Sequence, residues 1–502
     1  MKKILSLLAF MLLVITFVGC QTQTTGPTTA TTTTGSATND SSTTSGNIAT
    51  TNTTQTTVQP DPVTITYAAW NLGAVDSEIP NLERLMLEAF EEEYPWITVE
   101  IVERPKVTDP SGTSEIDQNW NEFLGARAAR GTLPDVYFTD SVETTIMNIW
   151  SRDMADIAYA DPEFMNISED LRDAANFGGK LMALPYAVYY FGYFINTSLF
   201  EEQNGDVPVF EDTFQEFLDK VSDIANQTVT NGTGIAGVVG IDRMLEWYPA
   251  QLNDELGWYT YDGRNLNLDS QEFEDALTLY TTLMQDKSLI YDALTPEEQM
   301  AAFGTPNTWE SNQLAAFFNY TPIIGSMTDL GFDVDFIGTP GTASAHQIPV
   351  ILDLLCVSYT TANPEAAYLL AKWMSFGSAG YLKRIELSTT VEGIQPLNMT
   401  PLQPNEDLLD AFFEIYPTFV EFRKVVAHGS FVIEPNKYVP GYIKARWTAD
   451  FDAERTVGDI FDLVRSGQLN YADVKVAWNQ KANDELTKAI TAIYQRLGIE
   501  EE

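Results

Sequence analysis

The residues that most often carry catalysis or bind metal are few in this 502-residue chain: two cysteines, Cys20 and Cys356, and two histidines, His346 and His428. The histidines lie far apart in sequence, and neither has metal-ligand spacing around it. No metal and no cofactor is therefore expected. Cys356 sits in the apolar run IPVILDLLCVSY, which reads as a buried strand, so its thiol is expected to pack as a small core residue. The chain has no G-x-S-x-G elbow, no H-E-x-x-H and no P-loop. What it offers in abundance is carboxylate, 71 Asp and Glu, and flat aromatic surface, with 10 Trp and 22 Tyr. So many carboxylates will always leave some pair near some cleft. A glycoside-cleaving pair is thus formally open, but no motif singles one out, and the expectation is a protein that is not an enzyme.

Charge narrows the partners. The formal net charge of −43 argues against nucleic acid and against charge-driven binding to anionic lipid. The acidity is scattered, as in Glu91-Glu92-Glu93 and Glu297-Glu298, which describes a solvated surface. Apolar residues make up 44% of the chain, enough for a large packed body.

The first sixty residues stand apart. Lys2 and Lys3 precede an apolar run from Ile4 to Val18, the pattern of a secretory signal over 1–19. The run is shorter than the roughly 20 residues a spanning helix needs. Phe17-Val18-Gly19-Cys20 resembles a bacterial lipobox, which implies lipidation at Cys20 and a mature chain starting there. Residues 20–61 are rich in Thr, Ser, Gln and Gly and cannot bury enough apolar surface to order. As a flexible tether of about 40 residues they would span roughly 35 Å. The expected location is the outer face of a bacterial cytoplasmic membrane, held by lipid only.

Beyond the tether, strands alternate with helices. VTITYAAW alternates as a strand, NLERLMLEAFEEEYP has helical spacing that Pro95 ends, ITVEIVE and PDVYFTD are strands, and Gly131 could stop the helix NWNEFLGARAARG. The pattern is that of βαβ units in a largely parallel sheet. The run KLMALPYAVYYFGYFINTSLF is a long β-former that breaks the rhythm. About 440 residues are too many for one simple core and suit two lobes.

The segments YAAWN, LMLEAFEEEYPWITVEIV, GTLPDVYFTDS, GGKLMALPYAVYYFGYFINTSLFEE, GFDVDFIGTPG and ANPEAAYLLAKWMSF follow one another in an order that resembles extracellular solute-binding proteins, above all the maltose-binding family. The resemblance covers nearly everything after Val63. It implies an α/β, two-lobed periplasmic-binding-protein-like fold, each lobe a mostly parallel sheet flanked by helices. Lobe one would hold 62–185 and 350–398, lobe two 200–345 and 400–497, and the crossings would lie at 186–199 and 346–349. It also implies a monomer that captures a carbohydrate between the lobes and hands it to the permease of an ABC transporter. A peptide or another polar solute remains an alternative.

A sugar presents apolar C–H faces and a rim of hydroxyls, which suit aromatic rings and Asp, Asn, Glu or Arg. Strand ends should supply them. Trp70 and Asn71 end the first strand, and Tyr186 and Tyr189 lie on the first crossing, with Tyr190 on the opposite face from Tyr189. By resemblance, Asp140 would bond sugar hydroxyls, Tyr189 would touch ligand, Trp247 would stack on a sugar face, and Trp447 would return an aromatic to the cleft beside Arg446. Trp258 and Trp309 complete the candidates.

Overall fold

The computed structural model describes residues 61–73, 79–109, 114–395 and 397–500. The signal segment, Cys20 and the tether up to residue 60 lie outside the described residues.

Alternation sets the first strand. β1 (Val63–Ala68) buries Ile65 and Tyr67 completely. Helix Leu82–Glu93 follows, its free N-terminus capped by the Asn81 side chain, which accepts from the Arg84 N–H at 3.1 Å. Met86, Leu87 and Phe90 fill its inner face. β2 (Ile97–Ile101) and β3 (Val136–Thr139) flank β1, both parallel to it. Gly131 takes φ 67° just past the helix Trp120–Ala129, the left-handed stop expected of it.

The remaining strands of the main sheet are β4 (Leu184–Asn196), β5 (Ala236–Val239), β6 (Leu314–Tyr320), β7 (Val334–Phe336), β8 (Ile348–Val357) and β9 (Phe431–Ile433). With β1–β3 they form a nine-stranded sheet in the order β2-β1-β3-β8-β4-β6-β5, β7 also pairing β4 and β9 also pairing β8. The outer pairs are parallel, and the central run β3-β8-β4-β6 is antiparallel.

β4 divides the molecule into two lobes. Its residues 184–190 pair with β8, and 191–195 pair with β6. Leu184, Tyr186 and Val188 belong to a first core built on β1, β3 and β8, while Phe191, Tyr193 and Ile195 enter a second core with Val238, Ala316 and Trp247. The two-lobed α/β fold with crossing strands is as the sequence implies. At the changeover, Gly192 passes so near Gly338 that a Cβ would sit 2.2 Å from the Gly338 carbonyl carbon. Only glycine permits that approach.

The C-terminal third departs from the expected division. Residues 400–497 were expected in lobe two. Instead, helices Glu406–Phe413 and Val420–His428 bury Leu408, Phe412, Phe422 and Val425 in the first core. Their aromatic faces meet partners there: Phe422 packs edge-on to Tyr190 at 5.6 Å and to Phe336 at 5.2 Å. β9 then crosses beside β8, and helix Tyr471–Leu497 runs from the second core (Trp478, Leu486) to the first (Ile493). Lys180 Nζ donates to the Leu497 carbonyl at 2.9 Å and holds that end down. Cys356 is fully buried on β8, and burial pushes its thiol up to about 12.

The chain's two histidines meet at the start of β8. Their rings lie 5.0 Å apart, and Phe210 stacks on His346 at 4.5 Å. His346 Nε2 is 2.9 Å from the Thr339 carbonyl, and His428 Nε2 is 2.8 Å from the His346 carbonyl. Carbonyl oxygen only accepts, so both Nε2 atoms carry the proton. Burial first, then the neighbouring His428, lowers the His346 value below the ordinary one. A histidine kept neutral in the fold but protonated when unfolded contributes stability that is complete above about pH 6.5 and is lost as pH falls below it. His346→Gln should therefore lose less melting temperature than the parent between pH 7 and pH 5. Parallel Tm–pH curves for the two proteins would show that His346 is not a titrating group of the fold.

Candidate functional site

Asn71, Tyr186 and Tyr189 come together. They line a cavity of about 390 Å³ with Glu83, Arg384 and residues 393–395 and 397–399. Each arrives by a different route. Asn71 follows the C-terminal end of β1, Tyr186 and Tyr189 project from one face of β4 because they are three residues apart across a register shift opposite Asp353 and Leu354, and Glu83 starts the helix Leu82–Glu93.

The floor of this cavity is polar and closed. Glu83 and Arg384 form a buried ion pair, the guanidinium 2% exposed. Tyr186 donates its hydroxyl to Glu83 Oε1 at 2.8 Å, and Asn71 Nδ2 donates to that hydroxyl at 3.3 Å. Arg384 Nη2 also donates to the Met374 carbonyl at 2.9 Å. Burial alone would lower the Arg384 value, but the Glu83 carboxylate outweighs it and raises it, so the guanidinium stays charged. Burial likewise raises the Tyr186 phenol well above its usual value, with Arg384 pulling against it. Losing either charge strands the other, which typically costs about 3–5 kcal/mol. Asn71 Oδ1 is buried without a hydrogen-bond partner.

Above this floor lies the rim. Tyr189 is half-buried and, apart from burial, senses the charges of Asp353 and Glu83. Tyr320, the last residue of β6, is 40% exposed and lies across from Phe191, ring centroids 5.7 Å apart. Across the crossing strands stand further charges. Arg243 Nε donates to Glu246 Oε2 at 2.7 Å, and Lys437 pairs with Asp353. Glu434, just after β9, is pushed up to about 7 by burial, with Lys437 lowering it and Glu246 raising it. None of Tyr320, Arg243, Glu246, Glu434 or Glu83 was singled out from sequence. Tyr320 carried the same signal as Trp70, an aromatic at a strand end, and Pro322 soon after it marks the stop.

The other sequence candidates are dispersed. Trp70 is half-buried, stacked on Phe138 at 4.7 Å and edge-on to Trp120 at 5.5 Å. Asp140 is exposed at the end of β3, where Asn121 Nδ2 donates to it at 3.0 Å. Trp309 is half-buried against Phe317 and Phe332. Trp447 is 39% exposed. Arg446 beside it is 2% exposed, its guanidinium enclosed by Trp447, Tyr259 and Phe461 at 3.6, 3.7 and 4.1 Å. That cage, and not a rim of hydroxyls, is what Arg446 faces. Trp258 is likewise enclosed, against Phe191.

Trp247 needs correcting outright. It is fully buried in the second core, stacked parallel to Phe318 at 6.2 Å and edge-on to Phe214 at 5.7 Å. The short helix Met244–Trp247 turns Met244, Leu245 and Trp247 inward and leaves Glu246 and the preceding Arg243 at the edge. A buried indole offers no face to a ligand. Trp247→Ala should accordingly cost about 3–5 kcal/mol in a denaturant titration. A variant as stable as the parent would contradict this core role.

The sequence profile described as bacterial extracellular solute-binding protein matches residues 76–376. No curated protein matches the chain. Among solved structures, an ABC substrate-binding protein from Listeria monocytogenes in complex with cycloalternan is 16% identical, with 88% of this chain and 100% of that one covered and a TM-score of 0.56. The cyclic alpha-maltosyl-1,6-maltose binding protein of Arthrobacter globiformis is 15% identical over 85% of this chain and 100% of its own, with a TM-score of 0.58. A solute-binding protein from Thermotoga lettingae bound with alpha-D-tagatose is 16% identical, again over 85% and 100%, with a TM-score of 0.53.

Proposed function

The chain belongs to the bacterial extracellular solute-binding proteins, and on that premise we propose that it binds a carbohydrate reversibly between its lobes and delivers it to an ABC transporter permease. The observation that carries this reading is the cavity beside the crossing strands. It sets Tyr189 beside a floor of fixed hydrogen-bonding groups, Glu83, Arg384, Tyr186 and Asn71, and Tyr320 stands nearby at the end of β6, opposite Phe191. Rings suit the C–H faces of a sugar and fixed dipoles suit its hydroxyls. The carbohydrates named with the similar folds agree with it.

The mechanism is capture. The lobes hinge about β4, β8 and β9, and ligand favours whichever arrangement contacts it better. Binding without bond cleavage is part of the proposal. The polar groups of the floor are already paired with one another, so they orient a ligand instead of moving protons. A bound oligosaccharide should be recovered uncleaved.

A thermal-shift screen over mono- and oligosaccharides tests the ligand class, because a ligand of the native state raises Tm by mass action. Tyr320→Ala should then weaken the best sugar by roughly 5- to 150-fold, about 1–3 kcal/mol, with a smaller loss of Tm than Trp247→Ala because Tyr320 is 40% exposed. Unchanged affinity would remove Tyr320 from the site, and a screen without any stabilising saccharide would remove carbohydrate as the ligand class.

Export and anchoring complete the proposal. Among the described residues no helix is long and apolar enough to cross a membrane. Lipid on Cys20 would then hold the protein at the outer face. Cys20→Ala should release it from washed membranes into the soluble fraction. A variant still sedimenting with membranes would point to another anchor.

A further inference from the structure

The chain's two histidines have no part in capture, yet they join one lobe to the other. His346 ends a loop, 338–346, that is built into lobe two. The Phe214 N–H donates to the Gly341 carbonyl at 2.8 Å, and the Thr342 hydroxyl donates to the Gln251 carbonyl. The Gln251 amide accepts from the Gln347 N–H at 2.8 Å and donates to the Gln347 carbonyl at 2.7 Å. Phe214 and Ala250 belong to the second core. His428 ends the helix Val420–His428, whose Phe422 and Val425 lie in the first core. The His428 Nε2–H donates to the His346 carbonyl at 2.8 Å, so a lobe-one helix is tied to a lobe-two loop just before β8 and β9 begin. Tyr190, on the face of β4 turned away from Tyr189 and its cavity, packs against Phe422 of that same helix. The tie therefore stands on the far side of the crossing strands from the ligand cavity.

The rings are closely packed. Phe210 stacks on His346 at 4.5 Å and meets His428 edge-on at 5.2 Å, and the two imidazoles are 5.0 Å apart. The charges around them are few and mostly spent. Residues 338–345 carry none. Glu211, next to Phe210, and Glu421, on the His428 helix, share one cation, Lys424, at 3.1 and 2.9 Å. Asp212 pairs with Lys220 at 2.7 Å, and Arg423 pairs with Glu406 and Asp410 at 2.8 and 2.6 Å. Asp335 of β7 accepts from the Glu421 and Phe422 N–H groups at 2.9 and 3.3 Å, at the other end of the helix. Asp206 and Asp254 are exposed. Two carboxylates against one lysine can balance one added positive charge. A second imidazolium would face the first across 5.0 Å with no carboxylate of its own.

We propose that the His346–His428 contact is a pH-sensitive tie between the lobes. With both rings neutral it holds the lobe-one helix to the lobe-two loop. With both protonated, like-charge repulsion loosens it and shifts the arrangement of the lobes. Imidazole is the side chain whose charge ordinarily changes between about pH 5 and 8. Burial, with His428 adding to it, holds His346 below its ordinary value against the opposing Thr339 bond, so the doubly charged pair forms only on the acid side. The tie touches no ligand. It acts by favouring one arrangement of the lobes over another.

The test uses no sugar, so its failure is separate from any failure of the carbohydrate reading. Spin labels at Met147→Cys and Met300→Cys, exposed positions on lobe one and lobe two, report the distance between the lobes by double electron–electron resonance. The full chain carries Cys20→Ala, and Cys356 escapes labelling because it is fully buried with its thiol pushed up to about 12. Between about pH 7.5 and about pH 5 the distance distribution should shift reversibly. His428→Gln keeps an amide donor for the His346 carbonyl, and His346→Gln keeps one for the Thr339 carbonyl. Each should abolish the shift, with melting curves at both pH values showing that the variant is folded. Two other groups near the crossing titrate in this range, Glu434 pushed up to about 7 and Asp335 up to about 6, and both remain in the histidine variants. A parent distribution unmoved by pH, or a shift of equal size in either folded variant, would overturn the proposal, the second result assigning the shift to those carboxylates.

Discussion

One strand has to serve two cores. β4 spends its first seven residues on the ladder with β8 and its next five on the ladder with β6. Period-two geometry means that a slip of one residue would send Tyr190 into the cavity and Tyr189 into the first core. The strand is pinned on both sides of the changeover, by the Tyr190 N–H donating to Thr321 Oγ1 at 3.0 Å and by the Tyr193 N–H donating to the Gly338 carbonyl at 2.9 Å. The close pass of Gly192 against Gly338 falls between those pins. The position of Tyr186 and Tyr189 at the cavity, and of Tyr190 and Tyr193 out of it, follows from that register.

The buried Glu83–Arg384 pair gives the floor its second constraint. A buried pair is a poor source of stability compared with apolar packing, so its place here is better explained by what it orients. Glu83 fixes the Tyr186 hydroxyl as a donor, which leaves that oxygen free to accept from Asn71 Nδ2. The Asn71 backbone is held as well, its carbonyl accepting from Asn81 Nδ2 at 3.0 Å. A ligand entering the cavity meets groups already held by one another, and little ordering of them remains to be done on binding.

Local patterns were legible in the sequence, and contacts between distant segments were not. The alternation of β1 and the left-handed Gly131 each depend on residues close in sequence. Asn71, Tyr186 and Tyr189 were found because strand ends and crossings face clefts. Glu83 escaped because an acid in the first turn of a helix reads as a partner of the helix dipole; its true partner is 301 residues away. Trp247 misled for the same reason: one short helical turn decides whether its ring points to the edge or to the core, and Phe318, Phe214 and Tyr193 decide that turn. The helices at 406–428 were placed with the wrong lobe because amphipathic helices declare which face is buried but not against what.

Net charge constrains what the cavity can capture by field alone. A body carrying −43 repels anions and concentrates cations at its surface, and both effects decay over about 8 Å at physiological ionic strength. A neutral sugar feels neither. Its capture must come from ring contacts and from the hydrogen bonds of a floor whose own charges are paired, so its affinity should vary little with salt. Salt dependence is thus the property that distinguishes a ligand held by shape and hydrogen bonds from one held by charge.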